Sequence, residues 1–236
     1  MFFGHNIDLS YHCRRLLFCF STLLIVACQP KATNSPHFKN YKVGPIPNTA
    51  AFLSLNPKEQ QLAESMPEDN IRTGAAAFKN NRSRIYFDRV MNKGVEEKID
   101  SSVVKELSLS CTCYLSKDTL KIHSGIGMMG GFGTYINVYQ KQANSSFYIY
   151  TDDIKAYKSS LADTAFQNYA LVSNQLSQLI LDKKPNFEPG EQLSGLLSFK
   201  TLPIYERKDK DKLEQRTIEG RMHFTCKSRK KMPWEP

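Results

Sequence analysis

The run Leu107-Ser108-Leu109-Ser110-Cys111-Thr112-Cys113-Tyr114-Leu115 alternates between two kinds of side chain from end to end. At a period of two, Leu107, Leu109, Cys111, Cys113 and Leu115 share one face of an extended chain, and the intervening residues take the other. A helix of the same length would spread those apolar residues around its circumference. The stretch therefore reads as a β-strand with one buried face, and both cysteines are expected to point inward.

The same texture continues on either side. Segments 120–124, 132–140, 147–151, 171–181, 192–200 and 216–226 are short, rich in Tyr, Phe, Val, Ile and Leu, and separated by polar or Gly-containing turns. In the last of them Ile218, Met222, Phe224 and Cys226 form an apolar face around Gly220, with Glu219, Arg221 and His223 facing the other way. Asn186-Phe187-Glu188-Pro189-Gly190-Glu191 has the composition of a turn joining two antiparallel strands. Segment 163–182 also carries apolar residues at helical spacing, and its second half is read as strand. Many strands without long helices between them predict a mainly β chain, an antiparallel β-sandwich over residues 84–226. No repeat of fixed period is present.

The 236 residues include 41% hydrophobic and 11% aromatic side chains, enough to fill a core, which excludes a disordered chain. Ahead of the β region, residues 28–56 are polar and contain Pro30, Pro36, Pro45 and Pro47, the composition of an extended tether. Within the connecting segment 57–83, Asn56-Pro57-Lys58-Glu59 carries a helix-start pattern that predicts a short helix as far as Met66, before Pro67. Residues 227–236 form a basic tail.

The first 27 residues read differently. Arg14 and Arg15 precede a 12-residue apolar run, 16–27, which is the layout of an export signal. It is shorter than the roughly 20 apolar residues that a membrane-crossing helix needs. The run ends in Ile25-Val26-Ala27-Cys28, which resembles the lipobox of bacterial lipoproteins. That resemblance covers the signal only. It implies that Cys28 receives a diacylglyceryl group and becomes the N-terminus of a mature chain anchored on a membrane. Several acyl chains, at roughly 0.8 kcal/mol per buried methylene, make such anchoring effectively permanent. Position 29 is Gln, not the Asp that marks inner-membrane retention in enterobacterial lipoproteins, so the resemblance implies a place in the cell envelope, on the outer membrane and facing the periplasm, with exposure at the cell surface as the alternative.

Charge takes its meaning from that compartment. The formal net charge of +9 falls to +8 when the signal removes Arg14, Arg15 and Asp8. For an exported protein the anionic neighbours are lipid headgroups and cell-wall polymers, and nucleic acid is excluded as a partner. The tail residues Lys227, Arg229, Lys230 and Lys231 are candidates for contact with anionic lipid. Of six cysteines, Cys111, Cys113 and Cys226 remain after processing, and an oxidising compartment permits one disulfide, Cys226 with either Cys111 or Cys113, or leaves buried thiols.

Catalytic motifs are scarce. Gly125, Gly127 and Gly130 spell G-x-G-x-x-G, but residues 132–139 read as strand, so the helix that would hold a phosphate is missing and the glycines read as a connection between strands. Met128 and Met129 within it are candidates for an adaptable rim that meets an apolar ligand or partner. Cys111 and Cys113 with His123 or His223 would need distant strands to converge before they could ligate zinc, and no metal or other cofactor is expected. No G-x-S-x-G elbow is present. Glu96-Glu97 and Asp152-Asp153 would point their side chains to opposite faces as consecutive strand residues. The sequence thus reads as a non-enzymatic binding or assembly module with an envelope partner. An envelope hydrolase or carbohydrate-active protein and a carrier of an apolar ligand stand as alternatives. Cys28→Ala is expected to yield a precursor that is neither lipidated nor cleaved at this site. Labelling with a radioactive fatty acid checks this, and incorporation equal to the parent chain would sink the lipobox reading.

Overall fold

Alternation at period two makes strands, and the computed structural model shows how they pair; it describes residues 39–47, 57, 61, 81–97, 106–127, 130–209 and 212–231. Thirteen strands lie among these residues. The chain runs through β1 (Lys39–Asn40), β2 (Lys42–Val43), β3 (Arg82–Asn92), β4 (Val95–Glu97), β5 (Glu106–Ser116), β6 (Thr119–Gly127) and β7 (Gly130–Val138). It continues through β8 (Gln142–Thr151), β9 (Tyr157–Lys158), β10 (Tyr169–Leu181), β11 (Gln192–Thr201), β12 (Ile204–Asp209) and β13 (Lys212–Lys230). The lipobox and all of the expected N-terminal helix except Pro57 lie outside the described residues, Gln61 apart.

Eight strands pair antiparallel in the order β3-β5-β6-β7-β8-β10-β11-β13. β13 then pairs antiparallel with β3, from Arg216↔Asn92 to Thr225↔Arg82, and the series returns to its start. The mainly β expectation holds, but in place of a two-sheet sandwich the structure has one sheet closed on itself. The physical reason is that apolar/polar alternation is the same for a strand in a sandwich and a strand in a barrel; only the pairing of the end strands separates them. β13 makes closure possible. It is 19 residues long and carries a register shift between Glu219 and Gly220, the kind of irregularity that bends and twists a strand. A Cβ on Gly220 would stand 2.6 Å from the Tyr86 carbonyl oxygen, so this close approach of β13 to β3 requires glycine.

The inside of the ring is filled by its own side chains. Ile85, Ile122, Ile136, Phe147, Leu197 and Phe224 are each at most 1% exposed. Phe224 lies against the backbone of its partner Gly195, where an added Cβ would come within 2.2 Å of the ring. Two buried polar pairs are made between strands: the Ser83 and Ser124 hydroxyls are hydrogen-bonded, and Asn174 Nδ2 donates to Ser145 Oγ at 3.0 Å. Burying them this way avoids the roughly 1–3 kcal/mol cost of an unmade hydrogen bond.

Both ends of the β region extend beyond the expected 84–226. β3 begins at Arg82, and β13 continues to Lys230. The second half of the expected tether also reaches the barrel: Lys39 and Asn40 pair with Ala143 and Gln142, Lys42 and Val43 pair with Ile180 and Leu181, and Gly44 N–H donates to the Leu181 carbonyl. Segment 169–181 is strand throughout, because its alternate residues Ala170, Val172, Leu179 and Leu181 have an interior to fill.

The inward-pointing cysteines are as expected, and the structure chooses between the two pairings. Cys113 and Cys226 are disulfide-bonded, joining β5 to β13 with their Cα atoms 5.8 Å apart, and Cys111 is a buried free thiol. Cys226→Ser removes the bridge whichever partner it uses and is expected to lower stability by about 2–5 kcal/mol. Cys111→Ser is expected to cost about 1 kcal/mol and to leave the bridge intact. Urea denaturation and fragment sequencing of the bridged peptide read both; a native Cys111–Cys226 linkage would overturn this assignment.

Candidate functional site

Because the inward positions on β6, β7 and β8 are Ile122, Ile136 and Phe147, the residues beside them in sequence face out. His123, Tyr135, Tyr148 and Tyr150 thereby come together on the outer wall of the barrel. The His123 ring stacks on Tyr135, with centroids 4.6 Å apart and planes 17° apart, and its Nε2 is hydrogen-bonded to the Tyr148 hydroxyl at 2.8 Å. Tyr148 is 5.1 Å from Tyr135 and 6.3 Å from Tyr150, centroid to centroid. On the next strand Leu171 is the register partner of Tyr148, and Tyr169 that of Tyr150. These two are 44% and 55% exposed, so the aromatic wall passes directly into solvent-facing apolar surface.

Two glycines of the G-x-G-x-x-G neighbourhood set this wall. A Cβ on Gly125 would stand 2.0 Å from the Tyr148 hydroxyl oxygen, and one on Gly133 would stand 2.5 Å from it. Their bare backbone lets the Tyr148 ring lie down across β6 and β7. Gly125 and Gly127 belong to β6, and Gly130, Gly131 and Gly133 to β7, so the expected Gly-rich connection is mostly strand. Burial pushes the Tyr148 phenol up, and the neighbouring Tyr135 and Tyr150 push it the same way. Tyr135 is also raised by burial. Both phenols therefore stay protonated at neutral pH. The wall is a set of protonated, hydrogen-bonding rings around one imidazole, suited to binding a partner that presents flat apolar groups and polar edges.

The structure brings some of the sequence candidates together and separates others. Cys28, Met128 and Met129 lie outside the described residues. Lys227, Arg229 and Lys230 belong to β13, with Lys231 next to it, so the expected tail is barrel up to this point. Its backbone is held there: Lys227 N–H donates to Asn81 Oδ1, Ser228 N–H donates to the Glu191 carbonyl, and the Ser228 carbonyl accepts the Gly190 N–H. The Arg229 guanidinium sits over the Tyr114 ring at 5.9 Å. The Cys111, Cys113 and Cys226 sulfurs all lie within 4.8 Å of one another. Reduced, they are the donor set among the described residues close enough to share a soft metal ion; the disulfide ties up two of the three. Neither His123 nor His223 belongs to that set.

Tyr135, Tyr148 and Tyr150 were not singled out by motif, though their outward alternation is visible in 132–140 and 147–151. Compared with family models, curated proteins and solved structures, the chain shows no significant match.

His223 sits elsewhere, in β13 between Arg84 of β3 and Leu196 of β11, and is 5% exposed. Burial, reinforced by the Arg221 charge, pushes its imidazolium down to about 4. The unfolded chain takes up this proton near pH 6.5 and the folded chain only near 4, so stability is full above the unfolded value and is lost as pH falls through that window. The loss is at most about 3 kcal/mol. Urea midpoints compared at pH 7 and pH 4.5 are expected to differ less in His223→Gln than in the parent chain, and equal differences would rule the linkage out.

Proposed function

We propose that this chain is a lipid-anchored module of the bacterial cell envelope that binds a protein partner with the outer wall of its barrel. The anchor rests on the lipobox resemblance at Cys28, and the outer-membrane, periplasm-facing placement rests on Gln29. The observation that carries the binding reading is the division of aromatic side chains between the two faces of one sheet. Inside, Phe147 and Phe224 are fully buried and occupy the space an apolar ligand would need. That filled interior speaks against a carrier. Outside, His123, Tyr135, Tyr148 and Tyr150 form a contiguous wall flanked by exposed Tyr169 and Leu171.

Tyrosines held in one rotamer by packing lose little entropy on binding and supply large contact area with a polar tip, which is why they are enriched at protein interfaces. The wall has this character before any partner arrives. A photoreactive residue placed at Leu171 in living cells is expected to give a discrete adduct that weakens when Tyr150→Ala is added. The same residue at Val95, 71% exposed on β4, is the control and is expected to give none. Identical adducts from both positions, or none from Leu171, would count against the wall as the binding face.

A further inference from the structure

An up-and-down ring sends its connections alternately to two ends. One end collects the β5–β6 turn, the β7–β8 turn, the β10–β11 connection and the finish of β13, and β1 and β2 pair beside it. Lys117 occupies the first turn, Lys141 the second, and Lys183 and Lys184 the third connection. Lys227, Lys230 and Lys231 stand at the finish of β13, with Arg229 among them, and Lys39 and Lys42 lie on β1 and β2. All of these lysines are exposed.

Among the described residues, the carboxylates at that end are Asp118, Asp182, Glu188 and Glu191. Two of them are engaged in shaping the third connection. Asp182 accepts the Ser194 N–H at 3.0 Å, and Glu191 accepts the Asn186 N–H at 3.0 Å while lying 3.8 Å from Lys183. At the opposite end the connections mix signs. Lys93 is followed by Glu96 and Glu97, Asp152 and Asp153 precede Lys155, and Glu206 and Asp209 flank Arg207 and Lys208. Among the described residues, the barrel is thus positively charged at one end and close to balanced at the other.

From this we infer that the lysine-rich end is the face the barrel turns to the membrane, docking on anionic lipid headgroups. Charge complementarity selects the partner. The cations stand on turns and a strand end fixed by backbone pairing, so they form a standing array, and at physiological ionic strength their field is felt over roughly 8 Å. The tether permits this placement. The chain arriving from Cys28 first pairs with the barrel at Lys39, next to the β7–β8 turn. Eleven residues after Cys28, that point can be at most about 40 Å from the acyl chains. The inference rests on the lipid-anchor reading for the position of the membrane, while the charge array is independent of it.

The experiment uses the full chain as lipidated by the cell, reconstituted into vesicles of phosphatidylcholine alone or mixed with phosphatidylglycerol. Flotation with the neutral vesicles reports the anchor, and lysine acetylation read by mass spectrometry reports the face. Lys117, Lys141 and Lys184 are expected to react roughly fivefold more slowly on anionic than on neutral vesicles, while Lys93, Lys155 and Lys208 are unchanged. High salt is expected to remove the difference. The variant Lys183→Gln/Lys184→Gln/Lys230→Gln/Lys231→Gln is expected to lose the protection of Lys117 and Lys141, which it retains.

If flotation with neutral vesicles fails, the anchor reading is lost, yet protection on anionic vesicles still supports the face. Flotation with equal labelling on both vesicle types overturns the inference and leaves the anchor standing. Protection by soluble polyphosphate without protection by anionic vesicles also overturns it.

Discussion

β13 is paired along one edge with β11 and along the other with β3. That double use leaves the eight-stranded ring without a free edge, and an open edge on a sheet this size would offer unpaired N–H and C=O groups to any passing strand. Beyond the point where β3 begins, β13 runs parallel to β5 from Ser228 to Lys230, so it takes up the position that β3 vacates. The disulfide between Cys113 and Cys226 ties the same two strands near that place. Closure, the bridge and the ordering of the basic segment are one structural event at one seam.

Once the ring is closed, each outward or inward position acquires a fixed meaning. Inward residues must fill a space about one side chain deep, which Phe147, Phe224 and the surrounding Ile and Leu residues do. Outward residues are free to carry chemistry, and on β6, β7 and β8 they carry the His123 and tyrosine wall. Glycine serves both sides: Gly195 makes room for Phe224 within, and Gly125 and Gly133 make room for Tyr148 without. The third consequence concerns the ends, because an alternating ring gathers turns that are far apart in sequence into two groups. Lys117, Lys141, Lys184 and Lys230 are scattered in the chain and neighbours in the barrel.

Much of the strand pattern was legible from alternation. The 107–115 run lies within β5, the six further segments fall on β6, β7, β8, β10, β11 and β13, and 186–191 joins the antiparallel pair β10 and β11. Boundaries were less legible at the two ends. Lys227-Ser228-Arg229-Lys230 has the composition of a solvated tail, yet its backbone hydrogen bonds to Asn81 and to the 188–191 segment hold it as strand. Residues 39–43 have the composition of a linker and pair with β8 and β10 because those strands offer partners at that level. Hydrogen-bond partners far away in sequence decide such cases, and local composition carries no record of them.

By itself the sequence determined the strand faces, the inward direction of Cys111 and Cys113, and the lipobox resemblance at Cys28. Each of these depends on residues within a few positions of one another. The tertiary structure decided that the sheet closes as a ring, that Cys226 pairs with Cys113 while Cys111 stays free, and that the tyrosines of separate strands meet on one wall. It also decided that lysines from three connections and the finish of β13 share one end. The physical reason is that period-two alternation fixes which way a side chain points from its own strand, while its neighbours are set by strand order and register, which depend on pairing across the whole chain.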